Sequence, residues 1–463
     1  MRINKNNANK NLIFFLFAHL IIWTLIPSIT NTNLPLDTIE ALAWGNNLDW
    51  GYSKHPPLSA WFLEFFFRIF GNQDWSYYLL SQIFVISSFI IVWRLSFDFF
   101  QNQILRLISV LLLEGICFYN FTSPEFNVNV CQLPFWALTV YFCWKGLKQN
   151  DIASWLFFGL FAGLGVLSKY IFIYLLIAVS LFFIYLIIKK ELNFKCLVSL
   201  ISFLTILLPH LIWLLEHNYI TVDYALFRSL GDPLTGLKGP IFLEHIFYPL
   251  IFLLKQIGIL VPFFIMLFFI IMKFKTKINY KDKKFLFLLS ITILPIILMF
   301  ITSIATGTRI RTMGMTPFYL FIGIFSIYVF QNKIKLEKLK NFFSIFLFLF
   351  IFFPISYFLV SFNKSNERTD YPGDKISQIV QTQWEKNFSN DIELVVGYGW
   401  IDGWYAQNLS YHLESRPQWK NQLINRPKEK GIILIKGFNE IDNCSGIIYK
   451  IEPFNDICML GNK

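Results

Sequence analysis

The sequence predicts an all-α polytopic membrane domain of about eleven transmembrane helices, followed by a small α/β extracytoplasmic C-terminal domain. Three observations lead there. Apolar residues come in runs of about 20, the length that crosses a hydrocarbon core. Of 463 residues, 55% are hydrophobic and 15% charged, where soluble domains carry about 25% charged residues. Lys and Arg cluster in alternate connections between the runs, as membrane topology requires. The formal charge of +11 is spread over those clusters, so it forms no basic face for a nucleic acid.

The apolar runs fall near 12–30, 76–97, 104–121, 129–147, 154–169, 171–188, 197–215, 246–272, 285–305, 313–331 and 341–361. No small-residue cleavage site follows the first, which reads as a retained signal-anchor helix. A continuous 154–188 is too long for one span, so a turn is expected near Lys169. Basic residues mark one set of connections: Arg2, Lys5 and Lys10; Arg106; Lys145 and Lys148; Lys189, Lys190 and Lys195. The set continues through Lys273, Lys275, Lys277, Lys281, Lys283 and Lys284, and ends with Lys333, Lys335, Lys338 and Lys340. These place the N-terminus in the cytoplasm of a multi-pass chain; the expected membrane is a bacterial inner (plasma) membrane. The opposite connections, 31–75, 122–128, the turn at 169–170, 216–245, 306–312 and the tail 362–463, then face the periplasm. Long polar connections on one side only suggest that the chemistry is there.

Within loop 31–75, segment 57–70 is short and aromatic and reads as a helix in the outer interface, Trp61 and the Phe residues toward lipid. Residues 1–361, this loop included, are taken as the membrane domain and 362–463 as a separate domain, with strands near 392–398 and 431–436. Cys117, Cys131, Cys143 and Cys196 lie in or beside apolar runs as buried thiols. Cys444 and Cys458 lie in the tail, in a compartment that favours pairing, so a disulfide is expected between them.

Ionisable groups at a membrane boundary are costly and need a reason. Asp37 and Glu40 follow the first run and share one face of a helix. A carboxylate there could act as a general base or hold a metal; the plain alternative is an acidic helix start favoured by the dipole. Next comes Trp50-Gly51-Tyr52-Ser53-Lys54-His55-Pro56-Pro57, where two prolines stiffen the loop and present Lys54 and His55 near the bilayer surface. Cations there suit a lipid phosphate, or simply snorkel. Lys169, Arg228, Arg309 and Arg311 are basic residues on the side that positive-inside topology depletes. A planar guanidinium pairs well with phosphate; lipid headgroup contacts are the alternative.

Asp37 after the first run, then Gly51-Tyr52 and His55-Pro56-Pro57-Leu58 in the same loop, resembles the GT-C glycosyltransferases of the PMT type. These are the protein O-mannosyltransferases and the lipid A aminoarabinose transferases. Thr122-Ser123-Pro124-Glu125, the segment Gly163 to Tyr170, the loop Asn218 to Arg228, and Gln256 with Pro262 extend the resemblance along the membrane domain. The family's Asp-Glu pair reads Asp37-Thr38 here, and Lys54-His55 stands where the aminoarabinose branch often has Glu-Lys. The resemblance implies a GT-C fold and transfer of a sugar from a polyprenyl-phosphate donor at the outer face, with inversion. It implies Asp37 as base and Lys54, His55, Lys169 and Arg228 as donor-phosphate ligands, with the Arg309/Arg311 pair as further candidates. Glu40 and Glu125 are left for acceptor, sugar or a divalent metal ion. Metal dependence varies across the family, and no His/Cys cluster here demands one. The acceptor is a glycolipid, a polysaccharide or a protein. The competing classes are a transporter or flippase, disfavoured because charges gather at one face rather than the midplane, and a non-catalytic membrane scaffold.

Overall fold

The structure is a computed structural model, described over residues 8–230, 242–271, 278–363, 367–421, 431–435, 444, 446–454 and 456–462. Arg2, Lys5, Lys273, Lys275 and Lys277 of the basic clusters fall outside the described residues, as do parts of the 216–245 connection and of the tail, and the last residue of the second expected strand.

Six described helices are long and apolar enough to cross a membrane: Ala8–Thr30, Asp74–Ser96, Tyr170–Ile188, Phe194–Glu216, Glu244–Phe268 and Leu339–Asn363. Two bent pairs raise the number to eight if each is one span: Lys283–Thr292 with Leu294–Thr306, bent by 41°, and Thr312–Tyr319 with Ile322–Lys333, bent by 52°. Pro295 at the start of Leu294–Thr306 accounts for the first bend. The remaining apolar runs are helical but short. Leu133–Gln149 and Ile152–Ser168 have 17 residues each, and such a helix rises about 25 Å, at the lower limit for a span. The run 104–121 divides into Gln103–Leu111 and two single turns ending at Tyr119. Six to eight described helices or bent pairs are therefore long enough to span, fewer than the eleven expected from the apolar runs.

The chain breaks at Lys169, as the run length requires. The helix ends at Ser168, Lys169 is extended (φ −166°, ψ 136°), a single turn follows, and the next helix starts at Ile173. Gly165 permits the fold-back, since a Cβ there would lie 2.2 Å from the Phe172 ring.

Contacts gather the chain into two units. The first holds 1–26, 50–58 and 79–357; the second holds 27–49, 59–78 and 358–463. Among its described residues the first has helices and one isolated bridge, between Ile271 and Ile334, and no strand. The second combines the helices Leu36–Gly45 and Leu58–Phe70 with a sheet of β1 (Leu394–Gly397), β2 (Gln418–Lys420), β3 (Ile432–Ile435), β4 (Ile447–Tyr449) and β5 (Ile457–Leu460). The strand order is β2-β1-β3-β5-β4. β1 runs parallel to β2 and β3, and β5 is antiparallel to β3 and β4. Every residue of β1 is buried, as expected of a central parallel strand covered on both faces. Val380, Trp384, Val395, Leu409, Ile433 and Met459 lie in its core. Cys444 is joined to Cys458 on β5 by a disulfide. In the helix Leu58–Phe70, Phe65 and Ile69 are exposed, whereas Trp61 turns inward and donates to the Asp49 carbonyl (2.8 Å).

Candidate functional site

In the first unit, the loop around Lys54 and His55 is held from below by the helix Val198–Glu216. His210 Nδ1 lies 2.6 Å from the Trp50 carbonyl. A carbonyl only accepts, so Nδ1 carries the proton and Nε2 accepts from the Tyr170 hydroxyl at 2.8 Å. Tyr170 in turn meets Thr221 Oγ1 at 2.7 Å. One buried imidazole thus ties together the loop, the Lys169 break and the start of the helix Ile220–Leu230. Gly51 lies flat on Trp213, where a Cβ would come within 2.5 Å of the indole. Trp213 is itself stacked on His217 at 4.2 Å. The Tyr52 N–H donates to the His55 carbonyl (3.1 Å), closing the turn before Pro56 and Pro57.

Lys169 is held from a second direction. Its Nζ donates to Asn129 Oδ1 at 2.6 Å. Asn129 lies in the short helix Val128–Cys131, capped by the side chain of Asn127, which accepts from the N–H groups of Asn129 and Val130. Asn127 also donates to the half-buried carboxylate of Glu125 (3.3 Å). The Thr122–Glu125 connection and the Lys169 break are therefore one hydrogen-bonded assembly.

The helix Ile220–Leu230 supplies the third side. It is entered through Asn218 and Tyr219, both left-handed (φ 50° and 57°). Asn tolerates that conformation; for Tyr219 it is strained, the kind of cost that surrounding structure must impose. Tyr224 then meets the basic groups. Lys54 Nζ lies 6.0 Å and Arg228 Cζ 5.9 Å from its ring centre, and the His55 ring stands edge-on at 6.2 Å. Desolvation lowers the His55 pKa to about 3, with repulsion from Lys169, Lys54 and Arg228 adding to it. Three cations and a neutral imidazole thus converge on one place. Like charges so gathered favour an anion, and phosphate is the anion that such donors bind best.

Other candidates lie elsewhere. Asp37 and Glu40 are on the helix Leu36–Gly45 of the second unit, Asp37 half-buried in its first turn and Glu40 buried. Arg309 and Arg311 are exposed, just after the left-handed Gly307 that ends the helix Leu294–Thr306. Among the described residues, no group of three or more His, Cys, Asp or Glu comes together to hold a metal ion. Sequence reasoning quoted Tyr170 in a family-like segment without giving it a role, and missed Tyr224, Asn129 and His210. Their only signal was polarity within or beside apolar runs.

Residues 54–213 match the family described as dolichyl-phosphate-mannose-protein mannosyltransferase. The match includes Lys54, His55, Glu125 and Lys169. No curated protein matches the chain in sequence. Among solved structures, ArnT from Cupriavidus metallidurans bound to undecaprenyl phosphate superposes with a TM-score of 0.62 at 11% identity, over 87% of this chain and 85% of that one. The same protein in the apo state gives 0.61 at 12%, over 88% and 85%. At such identity the likeness is one of fold. The chain is thus similar to the PMT-type family over residues 54–213 and shares the fold of the ArnT structures over most of its length.

Proposed function

We propose that the protein is a membrane glycosyltransferase that moves a sugar from a polyprenyl-phosphate donor to an acceptor at the outer face of the inner membrane. The observation that carries this reading is the convergence of Lys54, His55 and Arg228 on Tyr224, with Lys169 close enough to His55 to repel its protonated form; Lys54, His55 and Lys169 lie in the family-matched segment. The ArnT structure that shares the fold holds undecaprenyl phosphate, a lipid with the head group this cluster suits.

The reaction then runs as a displacement. The Asp37 carboxylate takes the proton from the acceptor hydroxyl. The acceptor oxygen attacks the anomeric carbon, and the bond from that carbon to the phosphate oxygen breaks with inversion. The phosphate leaves with the electron pair, and Lys54, Lys169 and Arg228 neutralise the charge growing on it. His55, neutral beforehand, contributes an N–H rather than a charge. Glu40 and Glu125 are assigned to sugar or acceptor hydroxyls, with a divalent ion as the alternative for either. The exposed Arg309 and Arg311 are assigned to the lipid head region.

The test is mass spectrometry of envelope glycolipids, polysaccharides and glycoproteins from cells with and without the gene, and with Lys169→Ala. A glycosylated product lost in the deletion and reduced in the variant supports the reading. An unchanged glycan profile in the deletion contradicts it.

A further inference from the structure

Long-range hydrogen bonds within the second unit join the helix that carries Asp37 to the C-terminal segment. Asn33, just before this helix, donates from Nδ2 to Asn408 Oδ1 (2.8 Å) and to the Arg368 carbonyl (3.3 Å). Its Oδ1 faces His412 Nε2 at 3.0 Å. The backbone N–H groups of Thr32 and Asn33 both donate to the Thr369 carbonyl. Leu36, beside Asp37, packs against the apolar core of the C-terminal domain.

The far end of the same helix is held by Arg416. Its guanidinium donates to the Leu42 carbonyl (2.9 Å) and pairs with Glu64 Oε2 (3.2 Å). It also lies 3.4 Å over the Phe67 ring. Asn46 returns the contact by donating to the Arg416 carbonyl at 2.8 Å. The Arg416 side chain is 11% and that of Glu64 9% exposed, so water screens this pair little. Arg416 takes a left-handed conformation (φ 48°) to reach this position, a strain that persists only when its surroundings fix it.

We infer that the C-terminal domain is a positioning device for the Asp37 helix, with Asn33 at one end and Arg416 at the other. The inference rests on the reading of Asp37 as the base. It gives the C-terminal domain a function that needs no ligand of its own. It also explains why a helix of ten residues, too short to be stable alone, can hold a general base in one orientation. Misplacement of a reacting group by about 1 Å costs on the order of 100-fold in rate.

The experiment compares full-length wild type, Asn33→Ala, Arg416→Lys and Asp37→Asn in native membranes. The donor is the polyprenyl-phosphate sugar fraction extracted from the same cells, and product is measured by mass spectrometry. Arg416→Lys keeps the charge but loses the planar fork and its stacking on Phe67. Asn33→Ala leaves Arg416 in place. The expected result is a fall of about 10–100-fold in kcat for both, with the apparent KM for donor unchanged and Cys444 and Cys458 still unreactive to a thiol label after denaturation without reduction. Loss of folded enzyme also lowers apparent kcat at constant KM, so kcat is expressed per folded protein, counted as the fraction that binds a polyprenyl phosphate; a fall that disappears on this normalisation overturns the inference. Wild-type kcat in both variants, with Asp37→Asn inactive, overturns the inference and leaves the reading of Asp37 standing. Wild-type turnover in Asp37→Asn overturns both.

Discussion

At the scale of single residues, the basic cluster is the strongest functional signal. Lys54, His55, Lys169 and Arg228 were legible in the sequence because each is a cation, or a potential one, in a connection that the basic clusters predict to be outer, where cations are scarce. Tyr224 and Asn129 were not, since a neutral side chain beside an apolar run resembles any other buried polar group. The cluster makes two predictions. Lys169→Ala or Arg228→Ala should weaken binding of a polyprenyl phosphate by about 1.5–3 kcal/mol, the usual worth of a hydrogen bond to a charged group, as measured by titration in detergent. Binding unchanged in both would remove the phosphate assignment. His55 makes the second. Its folded pKa, about 3, lies below the ordinary 6.5, so the unfolded chain binds the proton first. Its contribution to stability is complete above pH 6.5 and declines as pH falls from there toward 3. His55→Gln should flatten the decline of the melting temperature over that window; an identical slope would show that His55 is not the group responsible.

At the scale of elements, the break at Lys169 could be read from run length alone, because one helix from 154 to 188 overshoots the bilayer. The fixing of the 50–58 loop could not. It depends on His210, Trp213 and Gly51 meeting across more than 150 residues of sequence, which neither periodicity nor composition encodes. Gly51→Ala forces a methyl group into the Trp213 ring, which its stack on His217 prevents from yielding. Overpacking of this kind costs about 1–3 kcal/mol. Thermal unfolding should register that loss, and donor affinity should fall with it because the loop carries Lys54 and His55. An unchanged melting temperature would mean that the loop is not seated on Trp213. The strands of the C-terminal domain were partly legible for the opposite reason: Leu394–Gly397 and Ile432–Ile435 are short apolar runs between polar turns. The shorter strands β2 and β4 carry polar or half-exposed residues and give no such signal.

At the scale of the whole molecule, the alternating Lys clusters predict that the long polar connections lie on one side of the membrane. Reporter fusions at positions 281 and 400 should therefore give cytoplasmic and external signals respectively, and an external signal at 281 would invert the account. The Cys444–Cys458 bridge fits the proposed extracytoplasmic placement of the tail, since such a compartment is oxidising. The many-helix membrane architecture follows from the order and length of the apolar runs and the GT-C fold from the resemblance of the outer-loop motifs, whereas the sugar and the acceptor are recognised by shape and leave no mark on composition. The most direct test of the central claim is the turnover of sugar transfer from polyprenyl-phosphate donors in membranes containing wild type or Asp37→Asn at equal expression. Loss of a general base costs about 10²–10⁴-fold, so the account predicts a fall of that size with the protein still folded and still able to bind a polyprenyl phosphate. Transfer at the wild-type rate by Asp37→Asn would contradict it.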